Sequence, residues 1–303
     1  MNFDFMSKRK IALVASATML VVSVVSLLFL GINRGLGFTG GVLVEVGFET
    51  PVEPAEIRSL LEQSGYDNAV VQILGAETDI VIRVPPGDDV DQSNVGADIH
   101  ELLEQTYSTV DLRRSDYVGP AVGDELAEQG GLALLVALIS IMVYIMFRFT
   151  GKFSLGAVAA LIHDVLIVVG IFSLMQWTFD LPELAALLAV IGYSLNDTIV
   201  VSDRIRENFR TSKRGTPIEI INRSLNQMLG RTLVTSMTTL LVLVALLVAG
   251  GEQLRGFASA LSIGVVVGTY SSIYVAATML LMLGIQREDL AIPEKEGSDF
   301  VRK

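Results

Sequence analysis

Six apolar stretches, each of a length suited to crossing a lipid bilayer, constrain this chain more than any other feature. A spanning helix takes about 20 mostly apolar residues, and runs of that kind occupy residues 11–30, 132–147, 153–175, 184–201, 232–249 and 257–283. The second is the shortest, with Gly130 and Gly131 available to lengthen it. A mean hydropathy of +0.56 agrees with this reading. So does a charged fraction of 18%, against roughly 25% in soluble domains. Lys8, Arg9 and Lys10 precede the first run as they would in a signal peptide. The run is too long for a cleaved core, however, and Gly31-Ile32-Asn33-Arg34 offers no small-x-small cleavage site. Ala15-Ser16-Ala17 lies too early, so an uncleaved anchor is expected.

The lysines and arginines flanking the runs give an orientation, because cytoplasmic segments carry the excess of both. Lys8 to Lys10, Arg148 with Lys152, the group from Arg204 to Arg231, and Arg287 to Lys303 fall on one side, and Arg255 is the cation of the short turns on the other. Both termini are therefore expected inside. Residues 32–129 would then lie outside, with five arginines against nineteen acidic residues, as a solvated acidic surface or a dock for basic segments. The expected division is residues 1–31 for the N-terminus and first span, 32–129 for the outer domain, 130–284 for spans two to six with a cytoplasmic loop at 203–231, and 285–303 for a cytoplasmic tail. A cysteine placed at Asp88 should be labelled from outside and one at Lys213 spared.

The outer segment has its own pattern of elements. Alternation at 41–48 predicts a strand, and Pro54 opens a helix over 54–63 with Ile57, Leu60 and Leu61 on one face. Short β-branched runs at 70–74 and 79–84 flank Gly75-Ala76-Glu77-Thr78 as a hairpin; a helix over 95–107 and a strand over 110–118 follow. Strand, helix, strand, strand, helix, strand is the ferredoxin-like order, an antiparallel sheet with its helices on one face. Pro85-Pro86-Gly87-Asp88-Asp89 reads as an exposed loop. The fold class expected is a six-helix polytopic membrane protein with one ferredoxin-like α+β domain outside the membrane.

Composition also excludes chemistry. No cysteine is present, which removes disulfides, thiol catalysis and thiolate metal sites, and two histidines are too few for a histidine-rich metal centre. The net charge of −11 argues against nucleic acid as a partner. No G-x-x-x-x-G-K-[ST] phosphate loop occurs, and the loop between spans four and five is too small for an ATPase domain. The chain is thus expected to be neither an enzyme nor a cofactor or metal protein, and its energy must come from a gradient or a partner.

Ionisable groups inside the spans are the best guide to function, since each costs about 2.5–3.5 kcal/mol at a helix centre on insertion scales and usually faces a protein interior. Span three carries His163-Asp164, span four Asn196-Asp197, and span five opens on Arg231 followed by Thr232, Thr235, Ser236, Thr238 and Thr239. At 1.5 Å per residue, Asp164 lies about 18 Å beyond Lys152, near the midplane, and Asp197 about 9 Å from Asp203. Arg231 can reach inward to a similar depth and is expected to meet Asp197. Arg231, Thr235, Thr238 and Thr239 fall on one helical stripe, suited to a hydrated proton path. Each feature has a plainer reading beside this one: Arg231 as a residue snorkelling to headgroups, the threonines as helix-packing groups, Asp164 as a structural hydrogen-bonding group. Nothing near Asp197 in sequence neutralises it. Gly264 and Gly268, with Ala260 and Ser272 on the same face, predict close helix packing without chemistry.

The stretch from Val190 to Asn208, VIGYSLNDTIVVSDRIREN, resembles the signature of the SecF subunits of the Sec protein-export machinery, members of the SecD/SecF family and the RND superfamily. Gly37-Phe-Thr-Gly-Gly41, Val118-Gly-Pro-Ala-Val-Gly123, Arg231-Thr-Leu-Val-Thr-Ser-Met-Thr-Thr239 and Gly268-Thr-Tyr-Ser-Ser272 are similar to the same family, so the resemblance covers nearly the whole chain. One departure is Gly35-Leu36-Gly37, where the family usually has an aspartate just before the phenylalanine. The resemblance implies an inner-membrane, multi-pass, RND-type half that pairs with SecD. It also implies that the two use the proton motive force to pull on unfolded polypeptides emerging from the Sec channel and its accessory subunits. It carries the proton relay of the family onto Asp197 and Arg231, with Asn196, Thr235, Thr238, Thr239, His163 and Asp164 as secondary polar candidates. The coupling ion, proton or sodium, stays open. Two other classes share parts of the pattern: an RND-type exporter of small molecules or lipids, and a membrane assembly factor that transports nothing. A single six-span unit with one modest outer domain favours a subunit over a complete exporter.

Overall fold

The computed structural model of the chain describes residues 3–87, 94–149, 151–212 and 214–286; Asp88, Asp89, Lys213 and residues 287–303, which carried expectations above, lie outside the described residues. A short 3-10 turn, Met6–Lys8, leads into α1 (Arg9–Phe29), and α2 (Leu36–Thr39) enters the α+β domain. Two asparagines one turn apart anchor the N-terminal segment. Asn226 receives the Phe3 N–H at 2.8 Å and donates to the Phe3 carbonyl at 2.8 Å, and Asn222 accepts from the Met6 N–H at 3.1 Å.

The domain follows as β1 (Gly41–Phe48), α3 (Pro54–Gln63), β2 (Val70–Leu74), β3 (Ala76–Val84), α4 (Val95–Thr106) and β4 (Val110–Val118). The four strands form one sheet in the order β2-β3-β1-β4, every pairing antiparallel. This is the ferredoxin-like arrangement. Alternation along β1 turns Val42, Val44 and Val46 inward, against Ile80 and Ile82 of β3, and Ile57, Leu61, Ile99 and Leu103 of the two helices close the core. The hairpin differs from expectation: β3 begins at Ala76, and the reversal is made at Gly75, whose φ of 78° needs no side chain out of the way. One residue in the left-handed region replaces a four-residue loop, and the register shifts between Ile73 and Leu74 to accommodate it.

Among the described residues, six helical segments are long and apolar enough to cross a membrane. They are α1; α5 (Pro120–Arg148); α6 (Gly151–Met175); α7 (Leu181–Thr211); α8 (Pro217–Ala249); and α9 (Glu252–Ser271), which continues through a π-helical segment, Ser272–Ala276, into α10 (Ala277–Met282). α6 packs against α1, α5, α7 and α9. The buried face of α1 is made of Ala12, Ser16, Ser23 and Ser26, small side chains that let it lie close to α6, where a Cβ on Gly170 would meet Ser23. The segment expected as a loop at 203–231 is mostly helix. α7 runs on to Thr211, and α8 begins at Pro217 behind a capping box in which Thr216 and Glu219 satisfy each other's backbone N–H groups. Ile220, Ile221 and Leu225 bury an apolar face there, and Asn208 on α7 donates to Ser224 at 2.8 Å and Gln227 at 2.7 Å on α8. Hydropathy falls in this stretch although the helices continue through it.

Where the domain meets the helices, the connection after α1 pairs with the connection before α7. Phe179 N–H donates to the Asn33 carbonyl and Gly35 N–H to the Phe179 carbonyl, both at 2.8 Å. Arg83, at the end of β3, reaches across to the Arg34 carbonyl at 3.2 Å and the Thr178 hydroxyl at 3.3 Å. Burial holds its guanidinium below the ordinary arginine range, and the neighbouring charge of Asp180 acts against that shift. Asp180 caps α7 and accepts the Gly37 N–H at 3.1 Å. A Cβ at Gly37 would stand 2.3 Å from its carboxylate, and one at Gly35 the same distance. The space where an acidic side chain at position 37 would sit is thus filled by Asp180.

Candidate functional site

Four helices bring their polar side chains to the interior of the helical body. α6 supplies His163 and Asp164, α7 supplies Ser194 and Asp197, α8 supplies Thr232, and the α9 span supplies Ser271 and Ser272. Asp164 is fully buried and Asp197 is 8% exposed. Asp197 Oδ1 accepts from Thr232 Oγ1 at 2.9 Å, and its Oδ2 accepts from Ser272 Oγ at 2.6 Å. Asp164 Oδ2 accepts from Ser271 Oγ at 2.7 Å and from Ser194 Oγ, while its Oδ1 lies 2.8 Å from His163 Nδ1. The carboxylates therefore stand on adjacent helices, reached by consecutive serines of a third. The π-helical segment starts at Ser272, where the widened turn breaks the α-helical register.

The candidates from the sequence separate into two groups. Asp197, Asp164 and His163 lie in this buried cluster. Arg231 stands outside the hydrogen-bonded cluster: its side chain is exposed and among the described residues it forms no ion pair with Asp197, although its charge still acts on that carboxylate. The reason is helical phase. At 100° per residue, Thr232 and Ser236 turn inward, with Ser236 Oγ 2.6 Å from Thr269 Oγ1, and Arg231 points away beside them. The stripe expected to line a path therefore faces the surface. Thr235 and Thr238 are exposed and Thr239 is half-buried. Their hydroxyls are bonded back to their own helix, Thr235 to the Arg231 carbonyl at 3.0 Å and Thr239 to the Thr235 carbonyl at 2.9 Å. Asn196 is also exposed, on the side of α7 away from its neighbour Asp197.

Gly264 and Gly268 pack against α7 of the same chain. A Cβ at Gly264 would lie 2.1 Å from Val190 Cγ2, and one at Gly268 would lie 3.0 Å from Ser194 Cβ. The face is not free of chemistry as expected, because Ser272 on it is a hydrogen-bond donor to Asp197. Sequence reasoning gave Ser271 and Ser194 no role and took Ser272 only as a packing residue. Their signal was a serine pair one turn after a small-residue stripe in an otherwise apolar run. The neighbouring Tyr270 donates to the Ala12 carbonyl at 2.7 Å and stacks on His163, with ring centroids 6.1 Å apart.

Comparison with known proteins agrees with this architecture. Residues 98–286 match the family described as protein export membrane protein SecD/SecF, C-terminal. The protein translocase subunit SecF of Vibrio alginolyticus is 50% identical over 99% of this chain and 96% of its own length. The protein of the same description from Pseudomonas aeruginosa is 46% identical over 97% of this chain and 95% of its own. The crystal structure of SecDF, a translocon-associated membrane protein from Thermus thermophilus, superposes with a TM-score of 0.85 at 37% identity. That match covers 93% of this chain, which spans 39% of the longer SecDF chain. The chain belongs to the SecD/SecF family of protein-export membrane proteins.

Proposed function

We propose that the chain is a SecF-type translocase subunit of the inner membrane, which works with a SecD-type partner and couples an ion gradient to the export of unfolded polypeptides through the Sec channel. The observation that carries the reading is Asp197. It is a carboxylate inside a membrane-spanning helix, and among the described residues its hydrogen bonds come from the neutral hydroxyls of Thr232 and Ser272. A buried carboxylate without a cation in contact is costly. It is tolerated where binding and release of a proton or sodium ion is its purpose. The relatives support the export role by their names, and the SecDF chain, of which this chain spans 39%, supports a second homologous half as the partner.

Arg231, Thr235 and Thr238 suggest where that partner sits. A guanidinium and threonines on the outside of a span are poorly matched to lipid, and a partner helix over α8 would cover them and bring Arg231 toward the interior. The chain has no native cysteine, so single cysteines can be read cleanly. A cysteine at Thr235 should crosslink to the partner in membranes, and one at the exposed Leu28 of α1 should not. Crosslinking from Leu28 and none from Thr235 would place the partner elsewhere.

The orientation belongs to the same proposal: both termini in the cytoplasm and the ferredoxin-like domain outside. Ser64 and Arg214 are exposed and stand in for Asp88 and Lys213. In intact cells with a permeable outer envelope, an impermeant maleimide should label a cysteine at Ser64 and spare one at Arg214. The reverse pattern contradicts the orientation.

A further inference from the structure

The two buried carboxylates differ in one respect that decides their roles. Asp164 lies 2.8 Å from an imidazole nitrogen, whereas Asp197 meets hydroxyls. Asp164 is fully buried and is held by three groups, the His163 ring, Ser194 and Ser271, so its place is fixed. Asp197 is held by two hydroxyls alone, from Thr232 and Ser272.

The link between them is the serine step. Ser271 Oγ, the donor to Asp164, also lies 3.1 Å from the Gly268 carbonyl, and Ser272 Oγ, the donor to Asp197, lies 3.0 Å from the Thr269 carbonyl. A hydroxyl has one proton and must choose between its two acceptors. Ser272 can donate to an ionised Asp197, or turn to its own helix and accept from a protonated one. No polar atom is left unpaired in either state. Ser271 has the same alternative, but its acceptor Asp164 is itself held in place by the His163 ring and Ser194. Ser271 thereby pins the backbone of α9 at its last residue, just before the π-segment begins.

We propose that His163 and Asp164 are positioning residues that act through Ser271 to hold Ser272 and the π-segment against Asp197, setting the geometry in which Asp197 exchanges its ion. This rests on the reading of Asp197 as the ion-binding carboxylate. Of the titratable and charged groups on these helices, those tied to the cluster are His163 and Asp164 on α6, Tyr193 on α7 through Ser236, Tyr270 and Tyr274 on the α9 span, and Arg231 on α8.

The test is gradient-driven ion flux in inverted membrane vesicles containing the full chain and its partner, measured against pH and, separately, against sodium. Asp197→Asn, Ser271→Ala and Asp164→Asn are compared at matched protein levels. Fewer working molecules lower the maximal flux alone, whereas a displaced Ser272 changes the half-saturating ion concentration. For Ser271→Ala and Asp164→Asn the expected change is about tenfold, the size of one hydrogen bond to a charged group. Loss of a donor to the free carboxylate strengthens its hold on either cation, so the change runs to lower concentration for protons and for sodium alike. A normal half-saturating concentration in both variants, with Asp197→Asn inactive, overturns the positioning role and leaves Asp197 in place. Normal flux in Asp197→Asn overturns both.

Discussion

Gly264→Leu is expected to reduce the amount of folded chain in the membrane several-fold and to abolish export by what remains. The argument starts from a single Cβ, which at Gly264 would stand 2.1 and 2.6 Å from the two methyl groups of Val190 and 2.9 Å from its Cβ. Val190 is buried and β-branched, so it has no free rotamer to move into. Overpacking of this kind costs about 1–3 kcal/mol where the surroundings can yield, and more where they cannot. The consequence reaches the site, because α7 carries Asp197 and the α9 span carries Ser272. Helices forced apart at Gly264 separate the carboxylate from its donor. The penalty falls on the fold of the subunit itself, not first on its assembly with a partner. Gly264→Ala should show a milder form of the defect, partly relieved by Val190→Ala, which removes the two closest atoms. Normal accumulation and export by Gly264→Leu would mean that this helix contact is absent from the working protein.

What the sequence made legible follows from how locally each feature is encoded. The spans were visible because hydrocarbon imposes length and apolarity on each helix separately. The domain strands were visible because alternation is a two-residue signal, and β1, β2 and β4 begin and end where it does. Asp164 and Asp197 stood out as acids in apolar runs. The bounds 203–231 came from where hydropathy falls, which says nothing of helix content; that α7 and α8 continue through most of the segment was legible only in the local helix-start pattern of Thr216-Pro217 with Glu219. The meeting of Arg231 and Asp197 was inferred from depth alone. Depth ignores rotation, and Thr232, one residue on, holds the inward phase. Ser271 and Ser272 were visible as a serine pair, but their role as donors to the two carboxylates was beyond local reasoning, since a serine in a span is ordinarily bonded to its own helix. Only the packing of the α9 span against both α6 and α7 gives each hydroxyl a second acceptor on another chain segment. The π-segment is likewise a matter of hydrogen-bond register that no residue pattern announces.

Asp197→Asn is the second large effect expected. Asparagine keeps the shape of the side chain and an acceptor for Thr232 or Ser272, but it cannot ionise or balance a bound cation. A structural aspartate replaced in this way would lose stability and little else. An ion-binding one would lose transport while the subunit stays folded and assembled. Arg231→Lys separates the roles further: charge is kept but the planar fork is lost, so a partial defect is expected if a partner brings Arg231 toward the carboxylate. The most direct measurement is ion flux and gradient-limited secretion by Asp197→Asn, in membranes where the amount of the chain and its association with the SecD-type partner are determined in the same samples. The account predicts normal amount and association with flux and secretion lost; secretion at the normal rate with normal flux would contradict it and favour a subunit that assembles the machinery without driving it.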